Sequence, residues 1–298
     1  MKSISVCIPV FNPNMTYLQL AVESVLAQYI DNWELVLVEG SGSRNQDIEK
    51  FVDSFVDHRI KYVMNEEDTT MAGNWNFCIE SAKFDLVTLL HDDDYLLPNY
   101  LKQVIELHSQ YPEAAACFTS ATTVDEQGRP CLTMADRVKG YLKPRTEVIV
   151  LKEDNGLSSI LSANYIFCPT LCYNKVNLGN IRFEQRWNMV ADIALYAELL
   201  VQGKCLVGSN KEHYIYRRHS NNQTAKLTLS TERFEEEVAL YNTVNSSLLI
   251  NNWPLTIKVT RSKNIIKLHI VYCLLVAIVK LDKHYAKKLI KIFFKCFR

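Results

Sequence analysis

The sequence predicts an α/β fold built on an open, mostly parallel sheet with helices on its faces. Two observations carry that expectation. Short apolar runs alternate with segments whose apolar residues recur every three or four positions, the pattern of successive βαβ units. The composition is that of a packed domain: 48% of the 298 residues are hydrophobic, and 33 basic side chains balance 33 acidic ones. Low hydrophobicity and high net charge, the marks of a disordered chain, are both absent. Nine glycines and eight prolines leave little for flexible linkers.

The elements follow in order. Ile4–Val10 reads as a buried strand ending at Phe11 and Asn12. Leu18, Val22, Val25, Leu26 and Tyr29 then recur at helical spacing. Trp33–Glu39 is a second strand closed by the turn residues 40–43, and Ile48, Phe51, Val52 and Phe55 mark a second helix. Ile60–Met64 is a third strand, residues 74–83 a helix, and 86–90 an apolar run that lands on His91-Asp92-Asp93-Asp94. Pro98 suits the first position of the next helix, which Pro112 ends. Residues 114–120 read as another strand and 124–129 as a hairpin turn between strands; 157–167 and 190–202 read as helical, 213–219 as extended.

Net charge conceals an asymmetry. Residues 258–298 hold eleven Lys/Arg and a single acid, Asp282, so the tail carries +10 and residues 1–257 carry −10. An acidic body lacks the basic footprint of a nucleic-acid binder. The nine cysteines are scattered, several within apolar runs, and Cys168 and Cys172 form a lone CxxxC with no second pair, which argues against zinc. The first residues turn polar too soon for a signal peptide, so a reducing, cytoplasmic setting is expected.

Three segments carry candidate chemistry. Ligands of open α/β sheets bind beyond the carboxyl ends of the strands, where Asp92, Asp93 and Asp94 fall. Adjacent carboxylates repel, and hard oxygen ligands suit Mg²⁺ or Mn²⁺. On an extended chain Asp92 and Asp94 would point the same way and share one ion; a solvated acidic turn is the bland alternative. Arg217, Arg218 and His219 offer phosphate donors beside a strand end. Asp192 is an acid embedded in apolar helical sequence, where partial desolvation would raise its pKa and suit it to general-base work, with a helix-capping or salt-bridged Asp as the bland alternative that the sequence alone favours.

Taken together, these segments resemble the family 2 glycosyltransferases of the GT-A fold over about residues 3–225. Residues 6–12 look like the family's opening strand with its aromatic–Asn ending, which places Pro9, Phe11 and Asn12 on the donor. Residues 34–43 look like its second strand and base-reading acidic loop, with Glu39 as the reader. Residues 65–76, including Asn74, resemble the nucleotide-side segment, residues 90–94 the DxD-type metal motif, Ala191-Asp192 the pair that carries the base, and residues 216–220 the Arg/His loop near the diphosphate. There are departures: Glu39-Gly40 replaces a run of two Asp, His91 stands at the first Asp of the metal motif, and Ala191 replaces a Glu.

The resemblance implies a single inverting displacement. Asp192 would take the proton of a glycan hydroxyl. A divalent cation, Mn²⁺ or Mg²⁺, on two of Asp92, Asp93 and Asp94 would offset charge on the leaving nucleoside diphosphate, and Arg217, Arg218 and His219 would assist. Donor contacts would come from Pro9, Phe11, Asn12, Glu39, Asn74, Asp92 and Asp93, with a UDP-sugar as the expected donor and cell-surface polysaccharide as the product. The expected division is a catalytic domain over 1–225, a helical extension over 226–264 and a basic amphipathic tail over 265–298. The apolar run 265–279 falls short of the roughly 20 residues a spanning helix needs. Residues 285–298 have the character of an interfacial helix, so peripheral attachment to the inner face of the cell membrane and a lipid-linked acceptor are expected. The rivals are a catalytically inactive membrane scaffold and a sugar nucleotidyltransferase. The latter is disfavoured because residues 11–16 contain no glycine.

Overall fold

A computed structural model describes residues 2–219, 227, 228, 230–248 and 252–297. Ser220 of the Arg/His segment, the expected boundary at 225/226 and Arg298 lie outside the described residues.

The first half follows the alternation read above: β1 (Ile4–Val10), α1 (Met15–Leu26), β2 (Trp33–Glu39), α2 (Gln46–Asp53), β3 (Ile60–Met64), α3 (Met71–Ser81), β4 (Leu86–Leu89), β5 (Tyr95–Leu96), α4 (Tyr100–Gln110) and β6 (Ala114–Val124). Then come α5 (Met134–Leu142), β7 (Val148–Lys152), α6 (Glu153–Ser162), β8 (Leu171–Asn174), α7 (Lys175–Leu178), α8 (Ala191–Val201) and β9 (Cys205–Arg217). Among the described residues, the C-terminal part includes α9 (Glu232–Ser247), α10 (Pro254–Ser262), α11 (Asn264–Val279) and α12 (Lys283–Lys295).

One sheet runs in the order β3-β2-β1-β4-β8-β6-β9-β5, with β7 also on β9. β1, β2, β3, β4, β6 and β9 run the same way, and β5, β7 and β8 run against them. This is the open, mostly parallel sheet that the resemblance implies. β1, β2 and β4 are buried along nearly their whole length, which is why they appear in the sequence as mostly apolar runs. Alternate residues divide between two cores. Ile4, Val6, Ile8, Leu35 and Leu37 pack with α1, α2 and α4, while Cys7, Val36, Val38, Val87 and Leu89 face α3, α6 and α8.

Several boundaries shift for identifiable reasons. The helix expected at 74–83 starts at Met71, because the Thr70 hydroxyl accepts from Gly73 N at 3.0 Å and caps it earlier. The turn after β6 forms around Asp125, whose carboxylate accepts from Gln127 N and Arg129 N. No second strand follows, only an isolated bridge from Val124 to Pro130. A capping box between Thr133 and Asp136 then opens α5, which the sequence reading missed. The helix expected at 157–167 occupies Glu153–Ser162, where Ala163 turns extended and ends it, and a short 3-10 turn follows at Cys168–Thr170. Pro98 lies before the cap residue of α4 rather than inside the helix.

The C-terminal helices are not a loose tail. Phe234, Tyr241, Ile266, Ile270, Leu289, Ile292 and Cys296 belong to the same apolar cluster as Val87, Leu89 and Tyr196. Asp154 of α6 accepts from Leu255 N and Thr256 N and so caps α10. Taken together, Pro254–Val279 has 26 residues and contains an 18-residue stretch of mean hydropathy 1.6, long and apolar enough to cross a membrane by length and composition. Lys263, at φ 49°, interrupts it and leaves α11 with 16 residues.

Candidate active site

A cleft of about 1390 Å³ opens beyond the carboxyl ends of the parallel strands. Pro9, Phe11 and Asn12 line it from the end of β1, Asn74 and Trp75 from α3, His91, Asp92 and Asp93 from the turn after β4, and Arg218 and His219 from the end of β9. Asp192 lines the other end, at the start of α8. Sequence segments more than two hundred residues apart thus meet in one cavity. A second hollow of about 500 Å³, beside Arg182 and Glu198, contains none of the expected residues.

Three expected residues turn inward instead. Glu39 is 1% exposed, and its carboxylate accepts from Ser41 N at 3.0 Å and the Tyr62 hydroxyl at 3.1 Å, so it does not face the cleft as a base reader. Arg217 is 4% exposed and donates from Nε to the Asp93 carbonyl at 3.0 Å, with its guanidinium 4.5 Å from the Tyr17 ring centre. It fastens the acidic turn to β9 instead of facing the donor phosphates. Asp94 is buried too: it accepts from Arg217 N at 2.7 Å and Tyr214 Oη at 3.0 Å.

The expected sharing between Asp92 and Asp94 also fails geometrically. Residues 91–94 form a turn, with Asp94 N donating to His91 O at 3.3 Å, and period-two alternation holds only on an extended strand. The ligand atoms that converge, within 4.8 Å of one another, belong to His91, Asp93 and Asp94. His219 adds a second imidazole, its Nε2 lying 2.8 Å from Asp93 Oδ2.

Electrostatics separate the three carboxyls. Burial, then the neighbouring Asp93, push Asp92 up to about 7. Burial and Asp93 raise Asp94 well above the carboxylate range. Burial opposes the Asp93 charge as well, but the hydrogen bond from His219 and the His91 and His219 imidazoles bring it below its ordinary value. Asp93 is therefore the carboxylate that stays charged. Burial lowers His91, whose ring stacks on Trp75 at 5.9 Å and whose Nε2 is buried without a partner. A charged carboxylate and two imidazoles gathered at the cleft fit a divalent cation.

Gly40, a departure from the family pattern, has a local cause. A Cβ there would stand 2.6 Å from Asn74 Nδ2. Asn74 is held where it is by donating to Val38 O and accepting from Asn65 Nδ2, both at 3.3 Å. Its side chain ties α3 to the end of β2, so Gly40 and Asn74 come as a pair.

At the other end, Asp192 Oδ1 accepts from Ile193 N at 2.8 Å and Oδ2 from Asn164 Nδ2 at 3.3 Å. Burial raises its pKa, against the pull of these bonds and of the Lys139 charge. The loop before it is held from outside: Glu236 Oε2 of α9 accepts from Asn188 N, Met189 N and Val190 N at 3.0, 2.8 and 3.3 Å. α11 contributes Ile265, Leu268, His269 and Tyr272 to the wall. Sequence reasoning missed Asn164, Lys139, Arg233, Glu236 and His269. Glu235-Glu236-Glu237 reads as a solvated run, and nothing local marks the others.

Residues 5–133 match the family model described as Glycosyl transferase family 2. TuaG of Bacillus subtilis (strain 168), named for teichuronic acid biosynthesis, is 26% identical over 232 residues, 73% of this chain and 80% of its own. WfgD of Escherichia coli, a UDP-Glc:alpha-D-GlcNAc-diphosphoundecaprenol beta-1,3-glucosyltransferase, is 31% identical over 104 residues, 35% of this chain and 40% of its own. Among solved structures, S. aureus TarS 1–349 in complex with UDP-GlcNAc superposes with a TM-score of 0.63 at 17% identity, over 84% of this chain and 67% of that one. The chain spans less than half the length of the first curated relatives it matches.

Proposed function

We propose that this chain, whose residues 5–133 match the glycosyl transferase family 2 model, moves a sugar from a nucleoside-diphosphate donor to a hydroxyl of a glycan acceptor with inversion. One observation carries the reading: a single cleft holds the Asp92–Asp93–His219 group at one end and the desolvated Asp192 carboxylate at the other. Asp192 accepts the acceptor hydroxyl proton as that oxygen bonds to the anomeric carbon, and the bond from that carbon to the diphosphate breaks. Asn164 and Ile193 N aim the carboxylate. Arg218 faces the donor phosphates. Asp93 and His219, with Asp92 and His91 beside them, would hold Mn²⁺ or Mg²⁺, whose charge offsets that developing on the leaving diphosphate. TarS, solved in complex with UDP-GlcNAc, and WfgD, a UDP-Glc-dependent glucosyltransferase by name, support a UDP-sugar.

Calorimetric titration tests this directly. UDP, rather than GDP or dTDP, binds the wild type in the presence of Mn²⁺, and Asp92→Ala with Asp93→Ala removes that binding. If none of the three nucleotides binds with or without the metal, the reading fails. Turnover releases the nucleoside diphosphate, where a nucleotidyltransferase would release diphosphate.

The reading extends to a membrane surface and a lipid-linked acceptor in cell-surface polysaccharide synthesis, with the protein attached from the cytoplasmic side. On α11 and α12 the face opposite the core leaves Leu275, Ile278, Val279 and Phe294 exposed beside Lys287, Lys288 and Lys291. Each such lysine near an anionic bilayer contributes about 1 kcal/mol. Deleting these helices would strip a wall from the cleft, so charge reversal is the cleaner probe. Lys287→Glu, Lys288→Glu and Lys291→Glu together abolish sedimentation with phosphatidylglycerol vesicles and leave UDP binding intact. Unchanged sedimentation removes this face from the argument.

A further inference from the structure

The Asp192 end of the cleft has more positive charge than general-base chemistry uses. Lys139 projects from α5 into the cavity, and among the described residues it has no hydrogen bond or ion pair. Arg233 of α9 faces the same space and spends its Nε on Glu237 at 2.9 Å. Its remaining N–H groups have no partner among the described residues. Arg218, 2.7 Å from Asp136, stands nearby with its Nε buried and unsatisfied. Burial, and then the Arg233 charge, pull Lys139 down to about 8, although Asp192 and Asp136 oppose this. Like charges gathered against a partly apolar wall repel one another and lack solvation, a state that an arriving anion relieves.

The wall beside them is of a different kind. Leu268 and Tyr272 of α11 line the cleft, yet they are 56% and 47% exposed because they stand at its rim. Beyond that rim the same helix continues as the exposed apolar face of Val271, Leu275 and Ile278. Cations in the floor thus lead over an apolar rim onto an apolar outer surface.

We propose that this end of the cleft is a lipid-phosphate subsite, in which Lys139 and Arg233 take phosphate oxygens and Leu268 and Tyr272 take the first segment of the attached hydrocarbon. The inference rests on the glycosyl-transfer reading and narrows it. Because the cations stand beside Asp192, the attacked hydroxyl belongs to the sugar bonded directly to the lipid phosphate, not to the far end of a long glycan. The phosphate enters as part of the acceptor and undergoes no chemistry.

Farnesyl phosphate, inorganic phosphate and farnesol serve as probes, each titrated calorimetrically into the full chain with and without saturating UDP and Mn²⁺. The wild type binds farnesyl phosphate at least tenfold more tightly than either of the others. Lys139→Met and Arg233→Met each weaken it by about tenfold, the scale of one charge-assisted hydrogen bond, while UDP affinity stays at the wild-type value. Lys139→Gln serves if Lys139→Met loses UDP binding as well. Equal binding of inorganic phosphate would make this a site for the free ion, and equal binding of farnesol would make it a plain apolar groove. Either result overturns the proposal, as does farnesyl phosphate affinity unchanged in the variants. Failure of UDP to bind the wild type while farnesyl phosphate still binds would instead count against the function proposed above.

Discussion

The two ends of the cleft are assembled by different means. At the donor end, Phe11, Asn12, Asp92, Asp93 and His219 each follow a strand of one parallel sheet within a few residues. The strands are largely buried and held in register by their neighbours, so their ends deliver side chains to one edge whatever the helices do. At the acceptor end, Lys139, Asp192, Arg233 and His269 come from α5, α8, α9 and α11, helices that meet only through packing. A helix places a side chain well only when something fixes its rotation. Here that something is distant: Glu236 on the 188–190 backbone, and the Tyr241 hydroxyl on Leu161 O. The donor end is thus set by sheet register and the acceptor end by helix contacts, so the two should fail separately.

Asp192→Asn gives the largest separation. It removes the base without disturbing the sheet, so kcat falls by at least about 10²-fold while UDP binds as before. Turnover near the wild-type rate would remove Asp192 from its role. Glu236→Gln comes next. It leaves a neutral acceptor under three backbone N–H groups that now meet a carboxylate, and charge-assisted bonds are roughly twice as strong as neutral ones. A drop in kcat of about tenfold is expected with UDP affinity unchanged. If UDP affinity falls by the same factor, the two ends are coupled and the comparison breaks down.

The smallest effect is a shift along the pH axis. Asp192 works as a carboxylate, and burial holds its pKa above the ordinary value while the Lys139 charge pulls it down. The rate therefore falls as pH drops through that raised value. Lys139→Met removes the opposing charge, so the acid limb of the kcat/KM profile moves to higher pH. A limb that stays in place, or moves to lower pH, would show that Lys139 does not act on Asp192.

The sheet and the donor end were largely legible from the residues alone. Ile4–Val10, Trp33–Glu39 and Ile60–Met64 have in the structure the bounds read from the sequence. A strand buried along most of its length is mostly apolar, and the polar residues that follow it mark where it stops. The Asp triplet was legible for the same reason, being the first polar group after such a run. What could not be read is which way each polar side chain turns. Glu39 turns inward because Tyr62 offers a hydroxyl from the neighbouring strand, and Asp94 because Tyr214 and Arg217 N lie opposite it on β9.

The acceptor end shows the same limit more fully. Asp192 could be singled out as an acid in apolar surroundings, but Lys139, Asn164 and Arg233 stand in segments with no distinguishing pattern. The basic tail was visible as charge and periodicity. That α11 has its Ile266 and Ile270 side in the core, His269 in the cleft and Leu275 outside was not, because three environments around one helix depend on what packs against it. By itself the sequence determined the order of the strands' apolar runs, the acidic turn at their ends and the presence of a buried acid downstream, since burial and alternation act over a few residues. Only the tertiary structure decided which carboxylates face the cleft and which cations stand beside Asp192. Those depend on contacts between residues more than a hundred positions apart, such as His219 and Asp93, and no local pattern encodes them.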